Sequence, residues 1–347
     1  MTSGAQSDKA WTVLHGGALG DLVLTLQLAL RLPGVSETRA LTVVSRVDPG
    51  DLSAHRPQII RHSAEVVALH WLFADGDAPP PPGLAELIRS RRVLNALTGP
   101  QSPVHRRLAA LAPLALYSFD PRPQPGAQQH ITAQWQAHLA AQGLPRTSSA
   151  SDGPHLRTPS ASDGPAGAPR SSIAPGPTRR VLIHPGSGGR PKCWPLANFI
   201  RTARLLRDMH SGTPPLHVTF VLGHVELETW PASDLRQLDE LAAEFPLIRS
   251  PSPSELVALL ASADVYIGND SGPTHLAAFL RTPTLAIFGP TSPLIWRPLG
   301  PHVHVFAGRP DLDPLTWTIH PAAVASAGGM AAFSQPHSRS PLPPVET

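Results

Sequence analysis

Ala263-Asp-Val-Tyr-Ile-Gly-Asn-Asp-Ser-Gly-Pro-Thr-His-Leu-Ala-Ala-Phe-Leu280 decides how this chain is read. The apolar run Val265 to Ile267 stops at Gly268. A polar turn, Asn269-Asp270-Ser271-Gly272, follows, and Pro273 opens a segment that carries Leu276, Ala277 and Leu280 on one helical face. Proline suits the first turn of a helix because its missing N–H would lack a partner there, and Ser271 or Gly272 serves as N-cap. A second apolar run, Thr284 to Phe288, ends in Gly289-Pro290, so the unit reads strand, helix, strand. The helix N-terminus then aims unpaired N–H groups and its dipole at the carboxyl edge of a parallel sheet, where an anion such as phosphate binds. A tight turn without a ligand has the same residues, so other parts of the chain must decide.

Composition sets the frame. A chain of 347 residues suits two domains, and a hydrophobic content of 41% is enough for two buried cores. The formal charge is only +3 and the basic residues are scattered, which argues against a nucleic-acid partner. The single cysteine, Cys193, excludes an internal disulfide and points to a reducing compartment. No window approaches the roughly 18 apolar residues of a membrane span, and the polar start Met1 to Lys9 has no signal-peptide core. A soluble, cytoplasmic protein is expected.

Along the chain, Trp11 to His15 reads as a strand that breaks at Gly16-Gly17. Leu19, Leu22, Val23, Leu26 and Leu30 then recur at helical spacing, with Gly20-Asp21 at the helix mouth. Further strands are predicted at Leu41 to Ser45, Val66 to His70, Val93 to Leu97 and Leu114 to Ser118. Helices are predicted near Gly83 to Arg91, Pro103 to Ala112 and Ile131 to Gly143. Strands alternating with helices imply a parallel sheet. The composition then changes: Arg146-Thr-Ser-Ser-Ala-Ser-Asp-Gly-Pro154 is echoed by Arg157-Thr-Pro-Ser-Ala-Ser-Asp-Gly-Pro165, with almost nothing to bury. This predicts a flexible linker over 146–178. It separates a first domain, 1–145, from a second, 179–325, and a polar tail expected to be disordered covers 326–347.

The second domain opens with Val181-Leu-Ile-His-Pro-Gly-Ser-Gly-Gly189, a strand running into a glycine turn, followed by Lys192 and Trp194-Pro195. A helix bearing Phe199, Ala203, Leu206 and Met209 comes next. Strand Val218 to Leu222 ends at Gly223-His224, with Glu226 and Glu228 just beyond. Ser252-Pro-Ser-Glu255 has the form of a capping box and leads back to the opening stretch. Three strands thus end in glycine turns, and in a doubly wound sheet such turns converge on one site.

Several residues carry two readings at this point. Lys192, close to Ser187, Gly188 and Gly189, reaches phosphate oxygens or is a solvated surface lysine. Asp270 accepts a hydroxyl or caps its own turn. Glu226 or Glu228 binds the paired hydroxyls of a ribose or starts a helix. Asp21 acts on a substrate or offsets the dipole of its helix. His275 reads as a packed helix histidine and not a catalyst, and Cys193 as a packed thiol.

Taken together, Leu19-Gly20-Asp21, His184-Pro-Gly-Ser-Gly-Gly189 with Lys192 and Trp194-Pro195, and Gly268-Asn-Asp-Ser-Gly-Pro-Thr-His-Leu276 with Phe288-Gly-Pro-Thr291 resemble the pattern of glycosyltransferase family 9. That family includes the ADP-heptose:lipopolysaccharide heptosyltransferases. The resemblance implies an α/β protein of GT-B fold: two Rossmann-like domains with parallel sheets facing across a cleft, acceptor on the first and nucleotide sugar on the second. It implies Asp21 as general base and Lys192 on the donor phosphates. Asp270, Ser271 and Gly272 hold the diphosphate, with Pro273, Thr274 and His275 continuing the donor-binding helix end and Ser187 and Gly188 facing it. Glu226, preferred over Glu228, holds the ribose. The implied reaction moves a heptose from ADP-heptose to a lipid-linked or oligosaccharide acceptor, with inversion. It needs no cofactor and no metal, and peripheral contact with the inner membrane is expected. Another GT-B enzyme such as a sugar-nucleotide epimerase, or a non-catalytic nucleotide-sugar-binding relative, is the alternative. The Gly20-Asp21 pair favours transfer.

Overall fold

A computed structural model of the protein describes residues 10–36, 40–145, 179–210 and 216–333. The chain divides into two compact units, Met1–Ser151 and Asp152–Thr347. The expected linker, 146–178, lies outside the described residues.

The first unit runs β1 (Trp11–His15), α1 (Leu19–Ala29), β2 (Leu41–Ser45), β3 (Ile59–Ser63), a 3₁₀ turn (Leu69–Phe73), α2 (Pro82–Ile88), β4 (Arg92–Ala96), α3 (Pro103–Ala110), β5 (Ala115–Ser118) and α4 (Ile131–Ala141). Its parallel sheet has the order β3-β2-β1-β4-β5. β1 is central: His15 lies opposite Ser45 on one side and Ala96 on the other, so these strands end on a common edge. Burial of every residue in β1 and β2 is what a central parallel strand covered on both faces requires. The strand expected at Val66 to His70 is not formed. Ala68 takes a left-handed conformation (φ 53°) that interrupts an extended run, and Val66 is 85% exposed. Leu69 and Leu72, three apart, are buried from the 3₁₀ turn instead, and the strand in this region is β3.

The second unit runs β6 (Arg179–His184), a 3₁₀ turn (Arg190–Lys192), α5 (Leu196–Met209), β7 (Leu216–Leu222), α6 (His224–Thr229), α7 (Ala232–Leu241), β8 (Leu247–Arg249), α8 (Pro253–Ser262), β9 (Val265–Asn269), α9 (Gly272–Phe279), β10 (Thr284–Phe288), α10 (Pro293–Trp296), β11 (Val303–Ala307) and α11 (Pro321–Phe333). The six-stranded sheet, β11-β10-β9-β6-β7-β8, is also parallel throughout. Trp194, Phe199, Phe220 and Ile267 are buried in its main core. Ser252 accepts from the Glu255 N–H at 3.3 Å while the Glu255 carboxylate accepts from the Ser252 N–H at 2.6 Å, so the capping box is formed and starts α8 as expected. The tail boundary needs correction. Residues 326–333 continue α11, whose small side chains let it lie against the core: Val324, Ala325 and Ala332 are buried. Residues 334–347 lie outside the described residues. Among the described residues no helix is long and apolar enough to cross a membrane.

In the second sheet the chain builds β6, β7 and β8 to one side, then returns to place β9 against the other side of β6. His184 pairs with Gly268, so the turns after β6 and β9 emerge side by side. A parallel sheet opens a crevice at such a reversal of strand order, beyond the carboxyl ends of the strands.

Candidate functional site

The turn after β9 is built from its own polar side chains. Asn269, fully buried, donates from Nδ2 to the Pro185 carbonyl at 2.8 Å and accepts at Oδ1 from the Trp194 N–H at 2.9 Å. One amide thereby ties the end of β9 to the turn after β6 and to the entrance of α5. Ser187 crosses the same gap, donating to the Asp270 carbonyl at 2.8 Å. All three bonds are buried, so they fix the spacing of the two turns where a ligand would sit.

Asp270 is the hub. Its Oδ2 lies 3.1 Å from Lys192 Nζ and accepts from the Thr291 hydroxyl at 2.7 Å, while Oδ1 stands 3.8 Å from His275 Nε2. Burial would raise the carboxyl pKa, but the nearby His275 ring, the Lys192 charge and the Thr291 hydroxyl together bring it below the usual value. Lys192 is thus aimed by Asp270, and its side chain, 40% exposed, keeps further donors for a ligand.

Ser271 is the N-cap of α9. Pro273 has no N–H, and those of Thr274 and His275 are bonded to the Ser271 carbonyl at 3.1 and 3.3 Å. An anion at this helix end would therefore be held by the N–H groups of Ser271 and Gly272. The side chains of Thr274 and His275 are buried beneath the turn. Thr274 donates to the Asn269 carbonyl and meets the Ser271 hydroxyl at 3.0 Å.

Glu226 joins this cluster from the β7 side, and Glu228 does not. Glu226 is 3% exposed, accepts from the Gly223 N–H at 2.8 Å and stands 3.6 Å from His184 Nε2. Burial opposes its charge, but the His184 contacts and the Gly223 N–H outweigh it and lower the carboxyl pKa. Glu228 points to solvent and pairs with His224 at 3.1 Å. Glu226 rests directly on Gly186: a Cβ there would overlap the carboxylate. Gly188 is exposed, with no atom within 4 Å of where a Cβ would stand. The Cys193 thiol is buried and its pKa is pushed up to about 11 by that burial, as suits a packed and unreactive cysteine.

These residues, Ser187, Gly188, Lys192, Glu226 and Asp270 to His275, all belong to the second unit. Asp21 belongs to the first, half-buried in the opening turn of α1 beyond the end of β1. Sequence reasoning gave no separate role to Asn269, Thr291 or Gly186. Thr291 was visible as the close of Phe288-Gly-Pro-Thr291 after a third strand of the same edge, but a hydroxyl aimed at Asp270 needs coordinates. Gly186 looked like any turn glycine, since the acid that packs on it lies forty positions away.

The Asp270 network makes a pH-dependent contribution to folding. Its carboxyl pKa is lower folded than unfolded, so the stabilisation is full above the unfolded value of about 3.9 and is lost as pH falls through the lower folded one. The melting-temperature gap between wild type and Asp270→Asn should therefore narrow on acidification below about pH 4. A gap that does not change with pH would contradict the network.

A family model described as Glycosyltransferase family 9 (heptosyltransferase) matches residues 114–312. Among curated proteins, lipopolysaccharide heptosyltransferase 3 of Escherichia coli is 48% identical over 118 residues, which cover 34% of this chain and 33% of that protein. Lipopolysaccharide heptosyltransferase 1 of Campylobacter coli is 32% identical over 114 residues, 33% of this chain and 32% of that protein. The matched stretches span about a third of the length of these curated relatives. Among solved structures, the E. coli ADP-heptose lps heptosyltransferase II aligns with a TM-score of 0.59 at 18% identity, over 93% of this chain and 98% of that one. The E. coli heptosyltransferase WaaC with ADP aligns at 0.60 and 15% identity, over 93% and 100%. This likeness is one of fold, and it puts the two parallel-sheet α/β units in the GT-B class expected from the sequence.

Proposed function

The chain belongs to glycosyltransferase family 9, and from that premise we propose that it transfers heptose from ADP-heptose to a lipopolysaccharide-core-type acceptor. The observation that carries this reading is the cluster of Lys192, Asp270 and Thr291 around the open N-terminus of α9, at the strand-order reversal of the second sheet. A diphosphate fits there chemically. The N–H groups of Ser271 and Gly272 and the Lys192 ammonium supply positive charge, while Asp270 holds the lysine in place. Glu226, fixed by Gly223 and His184, supplies an oriented carboxylate for the ribose hydroxyls. Ser187, Thr274 and His275 support the turn from within through buried contacts, and Pro273 stands in the first turn of α9.

In the reaction, the acceptor hydroxyl oxygen attacks the anomeric carbon of the heptose and gives its proton to Asp21. The bond from that carbon to the diphosphate oxygen breaks, and ADP leaves with the bonding electron pair. The charge that develops on the leaving oxygen is met by Lys192 and the α9 N-terminus. One displacement inverts the anomeric centre. An acceptor carried on a lipid places the work at the cytoplasmic face of the inner membrane.

Thermal shift with a panel of nucleotide sugars tests the donor. ADP-heptose at a hundred times its Kd should stabilise the protein by about 2.7 kcal/mol, and UDP- or GDP-sugars at the same concentration by less. No shift with any nucleotide sugar would contradict the reading. Transfer should also persist in excess EDTA, since Lys192 and two backbone N–H groups neutralise the leaving group. Activity lost to chelator and restored by Mg²⁺ would overturn the metal-free account.

A further inference from the structure

His15 ends β1 with its side chain fully buried, and neither imidazole nitrogen has a hydrogen-bond partner among the described residues. Buried polar atoms are almost always satisfied, and an exception calls for a reason. The ring lies against Gly17, and so does the Asp21 carboxylate. A Cβ placed on Gly17 would stand 3.1 Å from Asp21 Oδ2, 3.1 Å from His15 Cε1 and 3.3 Å from His15 Nε2. A half-turn about Cβ–Cγ exchanges Cε1 with Nε2, so both ring orientations present a nitrogen to this space. A side chain at this position would fill the space that both groups border, and the glycine leaves it open.

The imidazole is neutral at physiological pH. Burial, and then the charge of Arg46 beyond the end of β2, push its pKa down to about 4. Arg46 is the charged group that acts on the ring, and the Asp21 carboxylate borders the same space at Gly17. One ring nitrogen therefore carries a proton to donate, without placing a positive charge beside the carboxylate.

We propose that His15 is a positioning residue for Asp21: its imidazole N–H donates across Gly17 to the carboxylate and orients it toward the incoming hydroxyl. A neutral donor holds the geometry while depressing the basicity of Asp21 less than a cation would, and a general base needs both. The proposal rests on the reading of Asp21 as that base.

Steady-state kinetics across pH on His15→Leu and His15→Gln read the effect. His15→Leu should lower kcat on the order of tenfold, the size of one neutral hydrogen bond, with ADP affinity unchanged. The acidic limb of kcat/KM should move to higher pH, because the charged carboxylate loses a donor that favoured it. His15→Gln, which keeps an N–H, should recover most of both. Unchanged kcat and an unchanged acidic limb in His15→Leu would overturn the proposal, and so would an equal loss in His15→Gln. Imidazole ¹⁵N spectra of the wild type and of Asp21→Ala read the same contact without altering His15 and without any activity. A hydrogen-bonded single tautomer that changes in Asp21→Ala is expected, and identical spectra would refute the contact. If the wild type transfers no sugar, the reading of Asp21 as base fails while these spectra still decide the contact.

Discussion

Asp21→Asn should lower turnover by roughly 10²–10⁴-fold, the loss typical of a missing general base, while donor affinity stays at the wild-type value. The two halves of that expectation come from the division of the chain. Asp21 stands on the first unit, whereas Lys192, Glu226 and the N-terminus of α9 all belong to the second. Asn has nearly the shape of Asp but cannot take the proton. If Asp21 served only the dipole of α1, Asn would cost at most about 1 kcal/mol of stability and little activity. Lys192→Ala should behave differently and weaken donor binding together with turnover. The effect should lie near the low end of the roughly 1.5–3 kcal/mol of a charged hydrogen bond, because Nζ is partly exposed and already shared with Asp270. Calorimetric donor titration beside transfer rates on both variants separates the roles. Near-normal turnover by Asp21→Asn would remove Asp21 from the chemistry.

Gly186→Ala is expected to damage the donor site through a residue that touches no donor. The added methyl would occupy the place of the Glu226 carboxylate. Glu226 has little room to move: it is buried, and its Oε2 accepts from the Gly223 N–H and stands 3.6 Å from His184 Nε2. Overpacking of this kind costs about 1–3 kcal/mol of stability. Donor affinity should fall by at least about tenfold if Glu226 holds the ribose, which is the loss of one good hydrogen bond. Gly188→Ala is the contrast in stability alone: nothing lies within 4 Å of its Cβ position, and it should leave the melting temperature unchanged. Gly186→Ala with wild-type melting temperature and wild-type donor affinity would show that Glu226 is not held as described.

What could be read beforehand divides by sequence distance. The βαβ unit from Val265 to Phe288 was legible because strand, turn and helix signals lie within one short stretch and are enforced locally: Gly268 ends the apolar run and Pro273 starts the helix. Asp270, Ser271 and Gly272 stood in that turn, but their assignment to a diphosphate came from the family resemblance, because the residues alone left Asp270 open between accepting a hydroxyl and capping its own turn. The strand at Val66 to His70 failed for a related reason. Its residues favour an extended chain, but tertiary burial of Leu69 and Leu72 selected a 3₁₀ turn. β3 was missed because Arg61 and His62 interrupt its apolar pattern, as a sheet edge permits. Contacts such as Asn269 to Pro185, Thr291 to Asp270 and Glu226 to Gly186 are fixed by strand order alone. No local pattern encodes them. The helix over 321–333 was half hidden for a different reason: its run of Ala and Gly has no marked polar face to show periodicity.

The most direct test of the central claim is a single product analysis. Purified protein is incubated with ADP-heptose and a lipopolysaccharide acceptor that lacks its heptose, and acceptor mass and free nucleotide are followed together. The account predicts that the acceptor gains one heptosyl residue for each ADP released. ADP release without a change in acceptor mass, or no consumption of ADP-heptose at all, would contradict it.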